Sequence, residues 1–144
     1  MTILGVDPGR EKVGLALIGP DGAVLWHQIV TPDSLRAGLP TGAIPADLAK
    51  IAVGDSTASA PTVAALERLK TLGLLPDVRI MVVNERGSTL EARPLYWEYH
   101  PPRGWRRLVP LSLQVPPEPI DDFAAAVVGR RGWLIGSQSG VVEP

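Results

Sequence analysis

Apolar residues come in short blocks separated by glycine, proline and aspartate, and the blocks define the elements. Thr2–Val6 and Val13–Leu17 are apolar enough for strands. Pro20-Asp21-Gly22 divides the second run from Ala23–Val30, and Pro-Asp-Gly between two apolar runs is turn chemistry. Val13–Val30 is therefore predicted as a hairpin, so the chain opens with three antiparallel strands. Thr31–Pro45, rich in proline and glycine, leaves room for one short interrupted helix. Leu48–Val53 follows as a buried strand closed by Gly54-Asp55-Ser56-Thr57.

The period then changes. Ser59-Ala60-Pro61 opens a helix, with Pro61 near its first turn and Val63, Leu66 and Leu69 at helical spacing; Gly73 is its stop. Val78–Val83 is a continuous apolar run, predicted as a central strand covered on both faces, and it delivers Asn84-Glu85-Arg86 at its end. Ser88-Thr89-Leu90-Glu91 has the capping-box spacing, and predicts a helix toward Tyr99 that Pro94 limits or kinks. Residues 101–119 form a proline-rich excursion, and Ile120–Val128 reads as a final apolar helix that begins with Asp121 and Asp122. Three antiparallel strands followed by strand–helix alternation predict an α/β mixed sheet with helices on its faces, in one domain spanning 1–144.

Composition narrows the class. The 144 residues are 45% hydrophobic and 20% charged, a soluble globular balance. No apolar run reaches the roughly 20 residues that span a bilayer, and Asp7, Arg10 and Glu11 break any signal-peptide pattern. The absence of cysteine excludes a disulfide framework and thiolate metal sites. A cytoplasmic protein with no membrane partner is expected. The net charge of −1 gives no global attraction to nucleic acid, but between Arg86 and Pro117 the arginines 86, 93, 103, 106 and 107 outnumber Glu91 and Glu98. Arginine suits bidentate phosphate contacts, although a solvated face explains such a cluster equally well.

The candidate chemistry lies in the carboxylates. In Ile3-Leu4-Gly5-Val6-Asp7-Pro8-Gly9-Arg10 a strand ends by presenting Asp7 beside a tight turn. Taken alone, Asp-Pro-Gly is also plain turn chemistry. Glu85 sits at another strand end, and is read either as a surface acid or as a partner of Asp7; functional groups gather at strand ends in such sheets. Asp55 is read as a third strand-end acid or, with Ser56 or Ser59, as a turn and helix cap. His27 and His100 read as packing or surface residues. Trp97, Tyr99 and Trp105 interleave with arginines 103, 106 and 107, which fits stacking of bases and holding of phosphates or ordinary packing and a structural clamp.

Four segments together resemble the RNase H-like nucleases of the YqgF/RuvC group, the pre-ribosomal-RNA nucleases and Holliday-junction resolvases. Gly5–Arg10 with Gly14 is similar to the first-strand motif, and Ala52–Ser59 to the second strand-end loop. Asn84–Ala92 resembles the acidic strand end with its helix start, and Asp121–Ala126 the acidic last helix. The resemblance implies a metal-dependent nuclease whose Mg²⁺ or Mn²⁺ ligands are Asp7, Glu85 and an aspartate of the last helix. Hard divalent ions prefer such oxygen donors, and a pair of them can stabilise both the attacking and the leaving oxygen in phosphodiester hydrolysis.

Asp122 fits the Asp-x-x-Ala-Ala spacing of the YqgF pattern and ranks first; Asp121 is a second ligand or a carboxylate favoured by the helix dipole. RuvC-type enzymes separate these acids by a helical turn, whereas here they are adjacent. The segments thus favour RNA slightly over branched DNA as substrate, with endo- or exonuclease mode open. Arg10 and Arg86, beside the leading ligands, are candidates for phosphate contact, with Arg103, Arg106 and Arg107 behind them. A resolvase would be a homodimer. The competing readings are a non-catalytic nucleic-acid-binding module and an actin-like phosphotransferase; the latter shares a strand–Asp-x-Gly–strand opening but closes two domains around its nucleotide.

Overall fold

The structure is a computed structural model that describes residues 1–110, 116 and 119–137. Its strands are β1 (Thr2–Asp7), β2 (Val13–Ile18), β3 (Val24–Val30), β4 (Leu48–Gly54) and β5 (Arg79–Val83). They form one sheet of order β3-β2-β1-β4-β5. β1, β2 and β3 pair antiparallel, while β4 runs parallel to β1 and β5 parallel to β4. The mixed sheet predicted from the sequence is present. The helices are α1 (Pro32–Ala37), α2 (Ser59–Thr71), α3 (Ser88–Tyr99) and α4 (Asp121–Ser137). No helix among the described residues is long and apolar enough to cross a membrane.

The two sheet faces differ in side-chain size, and that difference decides which helix goes where. Leu4, Val6, Val13, Leu15, Leu17, Ile51 and Val53 face one way and pack with Leu35 of α1 and Leu66 and Leu69 of α2. Their alternate neighbours carry little bulk: Gly5, Gly14, Ala16, Ala52 and Gly54. Onto that shallow face comes α4, itself built from Ala124, Ala125, Ala126, Gly129 and Gly132 where it meets the sheet. A methyl group on Gly5 would collide with the Ala125 carbonyl oxygen, and one on Gly14 with that of Asp121. One on Gly129 would lie 2.7 Å from Ile18 Cγ1, and one on Gly132 2.8 Å from Ala52 Cβ. Backbone thus rests almost directly on backbone, and α3 packs against α4 outside it.

Several elements depart from the sequence expectation. Val78–Val83 is not central: β5 is an edge strand, with Met81 and Val83 buried and Val82 43% exposed. A β-branched run marks a strand, but only its neighbours determine how many faces are covered. Ser88 is not a cap; Gly87, at φ 75°, precedes the helix, and Ser88 is its first, buried residue. Pro94 does not stop α3. Its ring and Leu90, whose carbonyl loses its i+4 donor, are both exposed, so the missing bond falls on the solvent side of the helix. The last helix runs on to Ser137, because Gly129 and Gly132 serve close packing rather than termination.

Two helix ends follow from local chemistry: the Thr31 cap, not singled out in the sequence, and the Gly73 stop, which was. Thr31 caps α1 by accepting a hydrogen bond from the Ser34 backbone N–H. Gly73, at φ 76°, ends α2 with paired bonds from Leu74 N to Leu69 O and from Gly73 N to Lys70 O, the Schellman arrangement.

Gly5→Ala should lower stability by about 1–3 kcal/mol or more, as overpacking does. Gly73→Ala, with open space around it, should lose only the roughly 1–2 kcal/mol of the left-handed backbone. Thermal unfolding followed by circular dichroism orders the two; equal melting points would contradict backbone contact at Gly5.

Candidate active site

The carboxyl ends of the parallel strands β1, β4 and β5 lie side by side, and each delivers an acid. Asp7 closes β1, Asp55 follows β4 directly, and Glu85 stands two residues beyond β5. The loops carrying them are tied together. Asp55 N donates to Val83 O at 3.0 Å, and Asp55 Oδ1 accepts from Glu85 N at 2.9 Å. Ser56 Oγ donates to Pro8 O at 3.2 Å and also accepts from Ala58 N. Of the two readings of Asp55, the structure shows the fastening one: it fixes the Glu85 backbone.

Glu85 folds back over Gly54, where any Cβ would collide with its Oε2. That oxygen is buried with no hydrogen-bond donor. Across the missing side chain it meets Asp7. Burial foremost, then the charges of Glu85 and Asp121 and a hydrogen bond shared with Glu85, push the Asp7 carboxyl from 3.8 up to about 7. Glu85 is raised as well, by burial first and by Asp55, with the Asp7 hydrogen bond and the Arg131 guanidinium opposing. Without a cation the two acids therefore share a proton rather than two full charges.

At the start of α4 the adjacent aspartates take different directions. Asp121, seated over Gly14, is the one whose charge reaches Asp7. Asp122 is 8% exposed and points elsewhere: its Oδ2 lies 2.6 Å from His27 Nδ1 on β3, and its Oδ1 accepts from Phe123 N at 3.1 Å. Ranking Asp122 ahead of Asp121 therefore does not follow from this geometry. Successive residues on a helix diverge by about 100°, so the one-residue spacing sends only one acid toward Asp7.

The histidines are exposed residues whose rings pack against neighbouring aromatics, and His27 is also a hydrogen-bond partner of Asp122. Its ring packs on Phe123 with centroids 4.8 Å apart, while His100 stacks on Tyr96 at 4.7 Å. Trp97 and Tyr96 are core residues, not stacking platforms for bases. The Tyr99 hydroxyl accepts from Val24 N, pinning α3 to β3.

The proposed phosphate contacts are dispersed. Arg10 is exposed and lines a cleft with Arg36, Thr57 and Thr62 between α1 and α2. Arg86 and Arg103 are exposed, and Arg107 Nε donates to Gly104 O. The side chain of Arg106 lies outside the described residues, as does that of Trp105. The cation that does serve the site is Arg131, beyond the predicted end of the last helix. It donates to Asn84 O at 2.8 Å, pairs with Glu91 at 3.1 Å, and tempers the Glu85 charge.

Among the described residues no three His, Asp or Glu side chains converge closely enough to form a ready cation cage. The close pair is Asp7 and Glu85, with Asp121 near enough to act by its charge. The donor chemistry nonetheless fits a hard divalent cation: half-buried carboxylates, one orphaned buried oxygen, a glycine that leaves room, and a proton held where charge is wanted.

No protein-family model matches the sequence, and no curated protein matches it. Solved structures do. RuvC of Thermus thermophilus in complex with a Holliday-junction substrate superposes with a TM-score of 0.61 at 14% identity, covering 100% of this chain and 99% of that one. A second T. thermophilus RuvC structure gives 0.57 at 14%, covering 92% and 94%. Fowlpox virus resolvase, in complex with junction DNA, gives 0.54 at 12%, covering 93% and 97%. The chain has the RNase H-like fold that these resolvases share.

Proposed function

We propose that this protein is a divalent-metal-dependent nuclease that hydrolyses phosphodiester bonds, with branched DNA as its substrate. The observation that carries the reading is the half-buried Asp7–Glu85 pair at neighbouring strand ends, with Asp121 near enough to act on it by its charge. Support for the substrate comes from the likeness in fold to two resolvases whose structures hold Holliday junctions. The RNA preference drawn from the sequence segments rested partly on the Asp122 spacing, and the side chain of Asp122 is turned toward β3.

Asp7, Glu85 and Asp121 would hold Mg²⁺ or Mn²⁺. The ions would supply Lewis-acid polarisation of the phosphate and a more acidic bound water. The chain's own contribution is positional and electrostatic. Asp55 and Ser56 lock the strand-end loops, so that Glu85 needs little reorganisation to engage a ligand. Arg131 grips the Asn84 carbonyl and draws Glu85 toward its ionised form. The proton on Asp7 must leave before a cation is held, so metal affinity climbs as pH rises toward about 7. Arg10 and Arg86, exposed on the loops that follow Asp7 and Glu85, would meet backbone phosphates of the substrate.

Labelled four-way junctions, linear duplex DNA and linear RNA should be compared with and without Mg²⁺ or Mn²⁺. We expect metal-dependent cutting of the junction, and a loss of at least about 10²-fold in Asp7→Asn, which removes a charged ligand. Cleavage by Asp7→Asn at the wild-type rate would remove the reading, and cutting confined to RNA would reassign the substrate.

A second prediction concerns stability without metal. The folded-state value of Asp7, about 7, lies above its ordinary 3.8, so the folded chain retains a proton that the unfolded chain releases. Stability from this group is complete below about pH 4 and is lost as pH rises through about 7. Asp7→Asn should abolish that loss. Its melting temperature, measured in chelator, should gain on the wild type between pH 5 and 8 and then hold a constant lead. Parallel curves for the two proteins across that range would contradict the burial of the charge.

A further inference from the structure

The α4 N-terminus presents two neighbouring carboxylates to a site with use for one, and something must decide between them. The sheet register shows what lies beneath. Gly5 pairs with Ala16, and Ala16 with His27. Residues directly opposite across antiparallel strands share a face, so His27 stands on the same face as Gly5 and Asp7, under the first turn of α4.

From there its Nδ1 meets Asp122 Oδ2 at 2.6 Å, while Asp122 Oδ1 accepts from Phe123 N. Both oxygens of Asp122 are thereby occupied, and the residue is almost fully buried. The imidazole is itself braced by Phe123 and by the edge of His100, with centroids at 4.8 and 6.4 Å. His27 is therefore held by packing, and it fixes the rotation of the helix end about its axis.

Resting on the metal-dependent reading above, we infer that His27 is a positioning residue: by binding Asp122 it turns Asp121 into the site as the acid that α4 contributes. His27 touches neither Asp7 nor Glu85 in any recorded contact and acts only through Asp122. If the pair is broken, the first turn of α4 can rotate, and the distance from Asp121 to Asp7 is no longer set. Partners of this kind behind a ligand typically change metal affinity by about 10- to 100-fold when removed.

The test is Mn²⁺ binding by isothermal titration calorimetry to the full chain and its variants, with thermal unfolding run alongside. Asp121→Asn and His27→Leu should each weaken Mn²⁺ by at least about tenfold. Asp122→Asn can keep both contacts, its amide oxygen accepting from Phe123 N and its amide N–H donating to His27 Nδ1 in the other tautomer, and should stay close to wild type. His27→Asn places an amide nitrogen near the position of Nδ1, and should restore most of what His27→Leu loses.

A folded His27→Leu with wild-type affinity would overturn the inference. So would an Asp122→Asn as impaired as Asp121→Asn, or a His27→Asn no better than His27→Leu. Should His27→Leu fail to fold, His27→Asn and the two aspartate variants still decide. A wild-type chain with no saturable Mn²⁺ binding would remove the metal reading and this inference together. Binding lost in Asp7→Asn but intact in His27→Leu would remove the role of His27 alone.

Discussion

A helix lying in backbone contact with a sheet is the constraint from which the site follows. α4 comes within touching distance of β1 and β2 because Gly5 and Gly14 carry no side chain and because Ala125 and Gly129 face them. Ordinary helix-on-sheet packing would interpose a layer of leucines and hold the two backbones well apart. Here that layer is missing on one face only, while the opposite face carries Leu4, Val6, Leu15, Ile51 and Val53 against α1 and α2. The result brings the first residue of α4 down onto the end of β1, where Asp7 is. Hydrophobic burial still supplies the driving force, through Phe123, Val127 and Val128 on the flanks of the helix.

Closeness has an electrostatic consequence. Carboxylates that would be harmless in water become weaker acids when dehydrated beside each other, and the protein does little to relieve Asp7 directly. Relief is given instead to its neighbours: Asp55 is engaged by the Glu85 backbone N–H, Asp122 by His27, and Glu85 feels Arg131. The unrelieved charge is thus concentrated at one point. Such a concentration is unfavourable for folding and useful for binding a cation, a trade common at functional sites.

Much of this arrangement was legible in the sequence. The strand that ends at Asp7, the hairpin after it and the Gly73 stop all rest on local chemistry, and local chemistry survives folding. What failed depended on neighbours. The Val78–Val83 run shows that the segment is a strand but carries no information on whether another strand lies beyond it. The Ser88-x-x-Glu91 spacing suggests a cap at Ser88, yet the helix begins one residue earlier, with Ser88 as its first residue after the left-handed Gly87. Arg131 was missed because the last helix was read only as far as Val128, whereas it continues through Gly129 and Gly132, which contact Gly5, Ile18 and Ala52. The choice between Asp121 and Asp122 could not be made from spacing either, since it is settled by a histidine on a strand 95 positions away.

The glycine contacts also bear on how such chains can diverge. At 14% identity to a RuvC with a matching fold, most positions differ between the two chains. A side chain at position 5 or 14, however, can be accommodated only by lifting the terminal helix away from the sheet. That displacement would carry the aspartate at its tip out of reach of the one on the first strand. Evolutionary drift at these two residues is therefore coupled to the chemistry even though neither has an atom to contribute to it, and a descendant that had filled them would keep the architecture while losing the cluster of acids.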